Sequence, residues 1–434
     1  MTDARVVLWG RDIAAVTWDD RQDIGIFQYS PDFLNSQIEV APIMMPLKEG
    51  TFQFPSLSRD TFQGLPGLLS DSLPDKFGNA LIDAWLATQG RTPESFNPVE
   101  RLCYIGKRGM GALEFLPKLN ESPTTDRVVE VEELVKLSNR VLNQRASLKG
   151  ELTGDNDVDA IADILRVGTS AGGARAKAIL AWNESTGEFR SGQLAADDGF
   201  TQWLIKFDGI TKNRDKEVAD PQGYGLIEYA YYLMAKQAGI NMTKCRIHHE
   251  GGRSHFMTQR FDRTETGGKL HMQSFSGLNH FDFNLAGAYS YEQVFQTILR
   301  LELPRNEIAQ QFRRAVFNIL ARNQDDHVKN IAFLMNKAGH WSLSPAFDVV
   351  YSYNPDGAWT SQHQMSVNGK RDGFEMADLV ALANVGGIKK RKAMGMIDQV
   401  AEAISNWETH RKAAEVPDNT ARKIEKTFRT KIVD

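Results

Sequence analysis

Short apolar runs separated by polar turns open the chain, and they predict strands. The runs VVLW, AAVTW and IGIFQY lie between residues 5 and 30, with glycine and aspartate in the turns between them. This alternation is typical of an antiparallel meander. Apolar residues at helical spacing then predict one amphipathic helix over 74–88, with Pro74 in its first turn. A glycine-rich turn and a strand over 105–117 complete a small β-rich module.

Between residues 167 and 263 the apolar pattern alternates strands with one helix. A glycine-rich turn, VGTSAGGARAK, leads into the strand AILAW, and a later strand ends in WLIKF. A helix over 224–238 follows, and Gly239 stops it. Two strands, KCRIHH and HFMTQRFDR, are joined by the turn at 250–252. This order of elements is that of a kinase N-lobe, which has a glycine-rich hairpin, a lysine strand, a helix with an internal glutamate and two further strands.

Helices dominate after Phe261. Apolar residues on one side predict helices over 291–302 and 305–322, the C-terminal residues also look helical, and a short helix is predicted earlier, over 157–166. The predicted fold class is therefore α+β, protein-kinase-like and bilobal. We divide the chain into a β-rich N-terminal subdomain (1–118), a kinase N-lobe with the glycine-rich loop (119–258) and a helical C-lobe (259–434).

Composition and charge narrow the class of protein but name no partner. A chain of 434 residues, 41% hydrophobic and 24% charged, can bury a full core. Its formal net charge of -4 gives no overall attraction to nucleic acid or an anionic membrane. Only two cysteines occur, Cys103 and Cys245, so neither a disulfide framework nor a cysteine zinc site is indicated. With no signal-peptide pattern and no long apolar run, we expect a cytoplasmic protein.

Three polar residues between 323 and 348 match the needs of phosphoryl transfer, which are a carboxylate near the accepting hydroxyl and ligands for magnesium. Asp325 and Asn330 have the D-x-x-x-x-N spacing of a kinase base and metal ligand. Asp348 follows the next predicted hairpin, as the aspartate of D-F-G does. A carboxylate and an amide oxygen suit magnesium.

Spacing alone leaves other interpretations of this stretch open. Aspartate and asparagine are turn formers, so these residues equally fit a helix cap and a turn. Asp326 is a second candidate base, and His327 fits either a nucleotide ligand or a packed core histidine. Lys329 fits either a phosphate contact or a solvated lysine.

A lysine at the end of an apolar strand is the second chemical signal. Lys206 is unexpected there unless it reaches a carboxylate or a phosphate, although an exposed edge lysine is the alternative. Glu228, on the apolar helix that follows, is its natural partner. A Lys–Glu ion pair of this kind holds the α- and β-phosphates in kinases.

Two weaker signals flank this lysine. Gly168, Gly172 and Gly173 form a glycine-rich segment whose backbone N–H groups suit phosphate, but a plain turn has the same composition. Gln259, Phe261 and Asp262 end the last N-lobe strand, where a hinge meets adenine; an ordinary core phenylalanine is equally consistent.

Two further patterns indicate an ordinary structural role more than a binding site. His248, His249 and His255 suggest zinc, but no thiol pattern accompanies them. The basic run 389–392 is typical of a solvated helix face, with DNA or RNA contact as the alternative.

Taken in order, the motifs resemble the HipA-type serine/threonine kinases, the toxins of bacterial toxin–antitoxin pairs. The similarity covers nearly the whole chain, and its N-terminal part includes SLPD at 72–75 and I-G-x-x-x-x-G-A at 105–112. The motifs further along are GTSAGGARAKA (168–178), WLIKF (203–207), QRFDR (259–263), N-x-D-D-H-x-K-N (323–330) and LSPAFDVV (343–350).

The resemblance implies roles for these residues in an enzyme that uses ATP and Mg²⁺. Asp325 is the implied catalytic base, and Asn330 and Asp348 are the implied magnesium ligands. Ser170 matches the serine that family members autophosphorylate, which expels the glycine-rich loop and switches the kinase off. The implied nucleotide-binding residues are Lys206, supported by Glu228, with Gln259, Phe261, Asp262, His327, Gly172, Gly173 and Lys177.

The resemblance also implies partners. A small helix-turn-helix antitoxin (HipB-like) neutralises such a toxin, and the complex represses its own operon on DNA. Known protein targets in the family include glutamyl-tRNA synthetase, although related kinases differ in substrate. We therefore expect a Ser/Thr kinase toxin, with a catalytically idle corepressor that binds an antitoxin and DNA as the alternative, and a small-molecule or lipid kinase as a third possibility.

The chain departs from the family pattern at three positions. Gln259 stands where the best-known member has Glu, Ala176 where Pro is common, and Asp326 where some members have Gly. The first departure bears on nucleotide selectivity, and none removes an expected catalytic group.

Overall fold

The structure is a computed structural model, and it describes residues 2–117, 119, 130–144, 175–192, 199–209 and 223–433. These residues form two compact units. The first comprises Met1–Gln222, Arg246–Met272 and Met335–Gly339, and the second comprises Gly223–Cys245, Gln273–Leu334 and His340–Asp434.

The N-terminal meander is the first sheet of the first unit. Residues at 5–30 form three antiparallel strands, as predicted, and the strand at 113–116 joins them beside the first. Phe27 and Tyr29 pack edge to face, with ring centroids 4.9 Å apart, on the buried side of this sheet. In spatial order the strands are Thr51–Phe52, Ile24–Tyr29, Arg11–Asp19, Asp3–Leu8 and Leu113–Leu116.

A second five-stranded sheet carries the predicted lysine strand. Its Gly251 and Gly252 both have positive φ, of 55° and 75°, which is what a tight hairpin turn between its last two strands requires. The two strands predicted on either side of the turn at 250–252 are confirmed, and so is the strand that ends in Lys206. In spatial order the strands are Phe189–Ser191, Lys177–Asn183, Phe200–Lys206, Arg253–Gln259 and Cys245–Glu250.

One apolar core joins this second sheet to helix Lys76–Thr88 of the N-terminal module and to helix Val131–Gln144. Trp182 and Trp203 pack edge to face at 5.7 Å from neighbouring strands, and Phe77 and Val135 from two helices belong to the same buried cluster. The N-terminal module therefore completes the core of the sheet. The helices of this unit are Pro31–Leu34, Arg59–Phe62, Gly67–Ser70, Lys76–Thr88, Pro98–Ile105 and Val131–Gln144, with a 3-10 turn at Pro93–Ser95.

Helices build the second unit around buried aromatic side chains. Tyr231 packs edge to face against Phe317 and Trp407, at 6.0 and 5.9 Å, and its hydroxyl donates to the Ala321 carbonyl over 2.5 Å. The helices are Tyr224–Gln237, Phe275–Asn279, Tyr291–Arg300, Arg305–Leu320, Met376–Val385, Lys390–Ser405, Trp407–Ala413 and Asp418–Glu425, with 3-10 turns at Val328–Asn330 and Thr430–Ile432.

The remaining strands are short. The predicted hairpin before Asp348 is present, because its two strands are neighbours in a three-stranded sheet whose order is His271–Ser274, Ala332–Met335 and Trp341–Leu343. A two-stranded parallel ladder pairs Tyr289–Ser290 with Met365–Ser366.

The structure differs from the sequence-based boundaries in two places. The helix predicted from residue 74 begins at Lys76, because Asp75 is its N-cap and accepts a hydrogen bond from the Gly78 N–H over 2.7 Å. Helix Tyr224–Gln237, which we assigned to the segment 119–258, packs within the second unit. The compact units thus cut across the three-part division, which stays a prediction about sequence segments. The helix predicted over 157–166 lies outside the described residues.

Candidate active site

The candidate base lies on a loop that we call the Asp325 loop, residues 323–330. The loop follows helix Arg305–Leu320, whose apolar side is buried, and it ends in the 3-10 turn Val328–Asn330. The Asn330 Nδ2 donates to the Asp325 carbonyl oxygen over 2.8 Å and closes the loop. Because this bond uses Nδ2, the Asn330 Oδ1 is the atom left to coordinate a cation.

One oxygen of the Asp325 carboxylate accepts a side-chain hydrogen bond, and the other can accept a proton from a substrate. The Trp359 indole Nε1–H donates to Oδ1 over 2.7 Å, and the His327 Nε2 lies 3.8 Å from the same oxygen. Among the described residues, no donor is hydrogen-bonded to Oδ2. The side chain is 33% exposed, so a substrate hydroxyl has access to it. This is the arrangement that a general base needs.

The neighbouring Asp326 is built differently. It is 4% exposed, and its two oxygens accept hydrogen bonds of 2.8 Å from the Tyr291 hydroxyl, the His363 Nδ1 and the Gln364 backbone N–H. Burial would raise the pKa of Asp326, but the His363 ring and these hydrogen bonds outweigh it and lower the pKa. Asp326 therefore ties the loop to a later segment, and the geometry favours Asp325 as the base.

The two predicted magnesium ligands line one cleft in the second unit. Asn330 and Asp348 supply an amide oxygen and a carboxylate, which are hard oxygen ligands of the kind that Mg²⁺ prefers. Asp348 has a φ of +51°, a left-handed backbone that costs a residue other than glycine about 1 kcal/mol. Its neighbours in the cleft wall include Asn323, His327 and Phe347. The donor set fits a divalent cation.

His327 lies between two aromatic rings beside the base. Its ring centroid is 5.5 Å from that of Phe283 and 6.4 Å from that of Trp359. The Lys329 Nζ lies 5.1 Å from the centroid of Phe283, so this lysine sits over an aromatic face. His327 is half-buried and faces the cleft, which is compatible with the nucleotide-binding role that the sequence predicts.

In the first unit, Lys206 is the last residue of its strand, and it is half-buried. Register places it opposite Phe256 on one side and Lys177 on the other, and its Nζ lies 5.7 Å from the Phe256 ring centroid. Glu228 is 2% exposed on helix Tyr224–Gln237 of the second unit. Because the two residues belong to different units, the Lys206–Glu228 pair stays a prediction.

Lys177 is buried next to a carboxylate. Its side chain is 3% exposed, and its Nζ lies 3.2 Å from Oδ2 of Asp75 at the start of helix Lys76–Thr88. Its nucleotide-binding role stays a prediction. A buried ammonium group needs a carboxylate close by, because burial without one costs far more than the pair gains. Lys177 therefore ties the sheet to the N-terminal module.

Asp262 lies in a buried network of hydrogen bonds at the predicted hinge. Its carboxylate is fully buried and accepts hydrogen bonds from Arg260, from Arg263 and, over 2.6 Å, from the Gly111 N–H. Burial would raise the pKa of Asp262, but the two guanidinium groups outweigh it and hold the pKa well below its usual range. These bonds give Asp262 a structural role, and its predicted nucleotide contact stays a prediction. Gln259 and Phe261 are half-buried beside it and stay predicted contacts.

The histidines at 248, 249 and 255 do not assemble into a metal site. The His255 Nδ1 accepts from the Asp208 backbone N–H over 3.0 Å, and the His249 Nδ1 lies 3.2 Å from the Ser254 hydroxyl. Within the described part of the chain, no group of three or more His, Cys, Asp and Glu side chains is arranged to hold a metal ion. Gly168, Ser170, Gly172 and Gly173 lie outside the described residues, so their roles stay predictions.

Sequence reasoning missed the residues that hold the base in place. Trp359 and His363 lie in the segment after Asp348 and carry no spacing signal relative to Asp325 and Asp326. Only the folded chain brings them together, across 34 and 37 positions respectively. A tryptophan and a histidine in an otherwise polar stretch were the one available hint.

Comparison with known proteins adds family and fold. Residues 4–116 match the HipA N-terminal domain, and residues 169–407, more than half of the chain, match the HipA-like C-terminal domain. A candidate kinase of Haemophilus influenzae is 30% identical over a match of 138 residues, and the match covers 28% of this chain. The chain spans 40% of the length of that relative.

A solved structure resembles the whole chain. It is titled as the Shewanella oneidensis MR-1 toxin–antitoxin system HipA, HipB and its operator DNA complex, and its matching chain is 19% identical with a TM-score of 0.68, covering 99% of this chain and 96% of that one. The likeness confirms the predicted fold class, a kinase-like α+β fold. Among the described helices, none combines the length and the apolar composition that crossing a membrane requires.

Proposed function

This chain belongs to the HipA family, and on that premise we propose that it is an ATP- and magnesium-dependent protein serine/threonine kinase that acts as a toxin. One observation carries the proposal. A loop with an accessible carboxylate lies beside a cleft lined by an amide and a second carboxylate, which is the equipment that phosphoryl transfer requires.

Each residue of the Asp325 loop has one task in this proposal. The Asp325 Oδ2 accepts the proton of the acceptor serine or threonine hydroxyl as that oxygen bonds to the γ-phosphorus. The bond from the γ-phosphorus to the bridging oxygen breaks at the same time, and ADP leaves. Asn330 and Asp348 would hold the cation. Magnesium, when bound, neutralises charge on the phosphate oxygens. The half-buried His327 lines the same cleft, and we assign it to the nucleotide.

Most of the proposed nucleotide-binding residues belong to the first unit. We assign Lys206 to the α- and β-phosphates with Glu228 as its support, the backbone of Gly172 and Gly173 to the phosphate oxygens, and Gln259 and Phe261 to the adenine. Asp262, at the end of the same strand, holds this hinge through its bonds to Arg260 and Arg263.

The regulatory part of the proposal follows the family. A helix-turn-helix antitoxin neutralises the kinase, the pair represses its operon on DNA, and autophosphorylation on Ser170 switches the enzyme off. The Shewanella protein of the same fold is seen with HipB and operator DNA, which supports an antitoxin and DNA as partners here. The target is a cytoplasmic protein, with glutamyl-tRNA synthetase or another translation protein as the first candidates.

A catalytically idle corepressor is the second candidate function, and the same Shewanella complex is the observation that favours it. One assay separates the two. Purified protein is incubated with γ-labelled ATP, magnesium and a cell lysate, alongside the Asp325→Asn variant. We expect label on proteins with the wild type alone. Equal label with both chains would reject the kinase, and label confined to metabolites would indicate a small-molecule kinase.

The Ser170 assignment has its own test. We expect phosphate on Ser170 of the active enzyme and none in the Asp325→Asn variant, as measured by mass spectrometry of the tryptic peptides. The same phosphate on both proteins would show that another kinase modifies Ser170.

A further inference from the structure

Trp359 makes the shortest contact to the candidate base. Its indole Nε1–H points at the Asp325 Oδ1 over 2.7 Å, and the ring is half-buried beside His327. A hydrogen bond from a neutral donor to a carboxylate is charge-assisted and is stronger than one between neutral groups. Trp359 lies on the segment that follows the predicted metal ligand Asp348, and not on the Asp325 loop itself.

The segment around Trp359 is fastened to the Asp325 loop at several points. The Gln364 N–H and the His363 Nδ1 bond to the two oxygens of Asp326, each over 2.8 Å. The Gln324 Nε2 donates to the Thr360 carbonyl over 3.4 Å. The Gln364 side chain in turn donates to the Trp359 carbonyl. These bonds fix the backbone of residue 359 relative to that of Asp325, so the indole N–H has a defined direction.

We propose that Trp359 is a positioning residue that orients the Asp325 carboxylate for proton acceptance, a step that rests on the proposed kinase function. The indole occupies Oδ1 and leaves Oδ2 toward the acceptor hydroxyl. The His327 Nε2, 3.8 Å from Oδ1, is the competing donor. Without the indole N–H, the carboxylate turns toward His327, and Oδ2 leaves the line of the attacking oxygen. The segment after Asp348 thus orients the base next to the predicted metal ligands.

Trp359→Phe isolates this hydrogen bond, because phenylalanine keeps an aromatic ring next to His327 and removes the N–H. Trp341→Phe, at another half-buried tryptophan of the same unit, is the matched control. The rate of phosphate transfer from γ-labelled ATP is measured under single-turnover conditions with lysate protein as acceptor. ATP affinity is measured by calorimetry with magnesium present, and folding is measured by thermal unfolding.

We expect Trp359→Phe to lower the transfer rate about tenfold, with ATP affinity within about twofold of wild type and an unchanged unfolding temperature. Trp341→Phe should leave all three values unchanged. Combined with Asp325→Asn, the Trp359→Phe change should have no further effect on the residual rate, because the indole acts through the carboxylate. A rate within twofold of wild type, or a tenfold loss that persists beside Asp325→Asn, would overturn the proposal.

A second readout is independent of catalysis. The protein has eight tryptophans, and the Trp359 indole signal in a ¹⁵N–¹H spectrum is identified as the one that Trp359→Phe removes. Asp325→Asn should shift this signal and leave the Trp341 signal in place. If the wild type transfers no phosphate, the proposed function fails while this arm still tests the contact. An unmoved Trp359 signal would overturn the positioning role even in an active kinase.

Discussion

Two adjacent aspartates in the Asp325 loop have opposite environments. The difference distinguishes a catalytic role for one from a structural role for the other. Asp325 is 33% exposed with one oxygen not hydrogen-bonded to any described residue, whereas Asp326 is buried and accepts three hydrogen bonds. The sequence offered both as candidate bases. A carboxylate whose lone pairs are already taken has nothing left for a substrate, so the bonding state of each oxygen decides between them.

Two charged residues of the first unit, Lys177 and Asp262, differ from the accessible Asp325 in the same way. Lys177 and Asp262 sit in family motifs, yet both are buried and paired, with Asp75 and with two arginines respectively. Removing one partner of such a pair leaves a buried charge alone and costs about 3–5 kcal/mol. A charged residue in a motif therefore has a chemical or a structural role according to what it bonds in the folded chain.

The largest expected effect distinguishes the two aspartates. Asp325→Asn should lower phosphate transfer about 1,000-fold with little change in stability, because it removes the proton acceptor at an accessible site. Asp326→Asn should lower the free energy of unfolding by about 2 kcal/mol, because Tyr291 and His363 lose a charged partner. Urea unfolding and transfer rates corrected for folded protein measure both. Loss of transfer in a fully stable Asp326→Asn variant would reverse the assignment.

The next effect concerns the cation. Asp348→Asn should lower transfer about 100-fold and raise the magnesium concentration needed for half-maximal rate, because it removes a ligand's charge from the cleft. Asp356→Asn, at an exposed residue on the segment that follows, is the control and should behave as wild type. The readout is a magnesium titration of the rate. An unchanged titration curve for Asp348→Asn would remove Asp348 from the metal site.

A smaller effect tests the pair that joins the sheet to the N-terminal module. Lys177→Met should cost about 3 kcal/mol of unfolding free energy, because it leaves the Asp75 carboxylate buried beside an apolar group. Asp75→Asn should cost a similar amount while keeping the helix N-cap, since asparagine also caps. The double variant should be more stable than the sum of the single effects predicts. Simple additivity in urea unfolding would show that the two side chains do not interact.

The smallest effect is a pH dependence. The pKa of Asp262 is lower in the folded chain than in the unfolded one, so its contribution is complete above the unfolded pKa of about 4 and is lost as pH falls below it. Unfolding free energies at pH 7 and pH 3 measure this. We expect the decline over this interval to be about 1 kcal/mol smaller for Asp262→Asn than for wild type. Parallel declines would show that Asp262 does not carry this dependence.

Local pattern predicted much of the fold, and the structure shows why. The N-terminal strands and the helix at 305–320 each have one buried face, so their periodicity is visible in a single segment. The spacing of Asp325 and Asn330 was likewise readable, because the Asn330 side chain closes the loop onto the Asp325 backbone.

What could not be predicted depends on contacts between distant segments. Nothing near Lys177 in the sequence indicates Asp75, and nothing near Asp262 indicates the Gly111 N–H, which lies 151 positions away. The contact of Trp359 with Asp325 could not be predicted for the same reason. Spacing within a motif identifies candidate residues, but whether a charge is occupied depends on tertiary partners that no local pattern encodes.

The central claim, that the Asp325 loop transfers the γ-phosphate of ATP, is tested most directly by ADP formation. Purified protein at known concentration is mixed with ATP and magnesium, and ³¹P NMR follows ADP and protein-bound phosphate over time. We predict ADP and phosphoprotein in equal amounts from the wild type, about 1,000-fold slower formation of both by Asp325→Asn, and neither product after magnesium chelation. Wild-type ADP formation no faster than that of the Asp325→Asn variant would contradict the account.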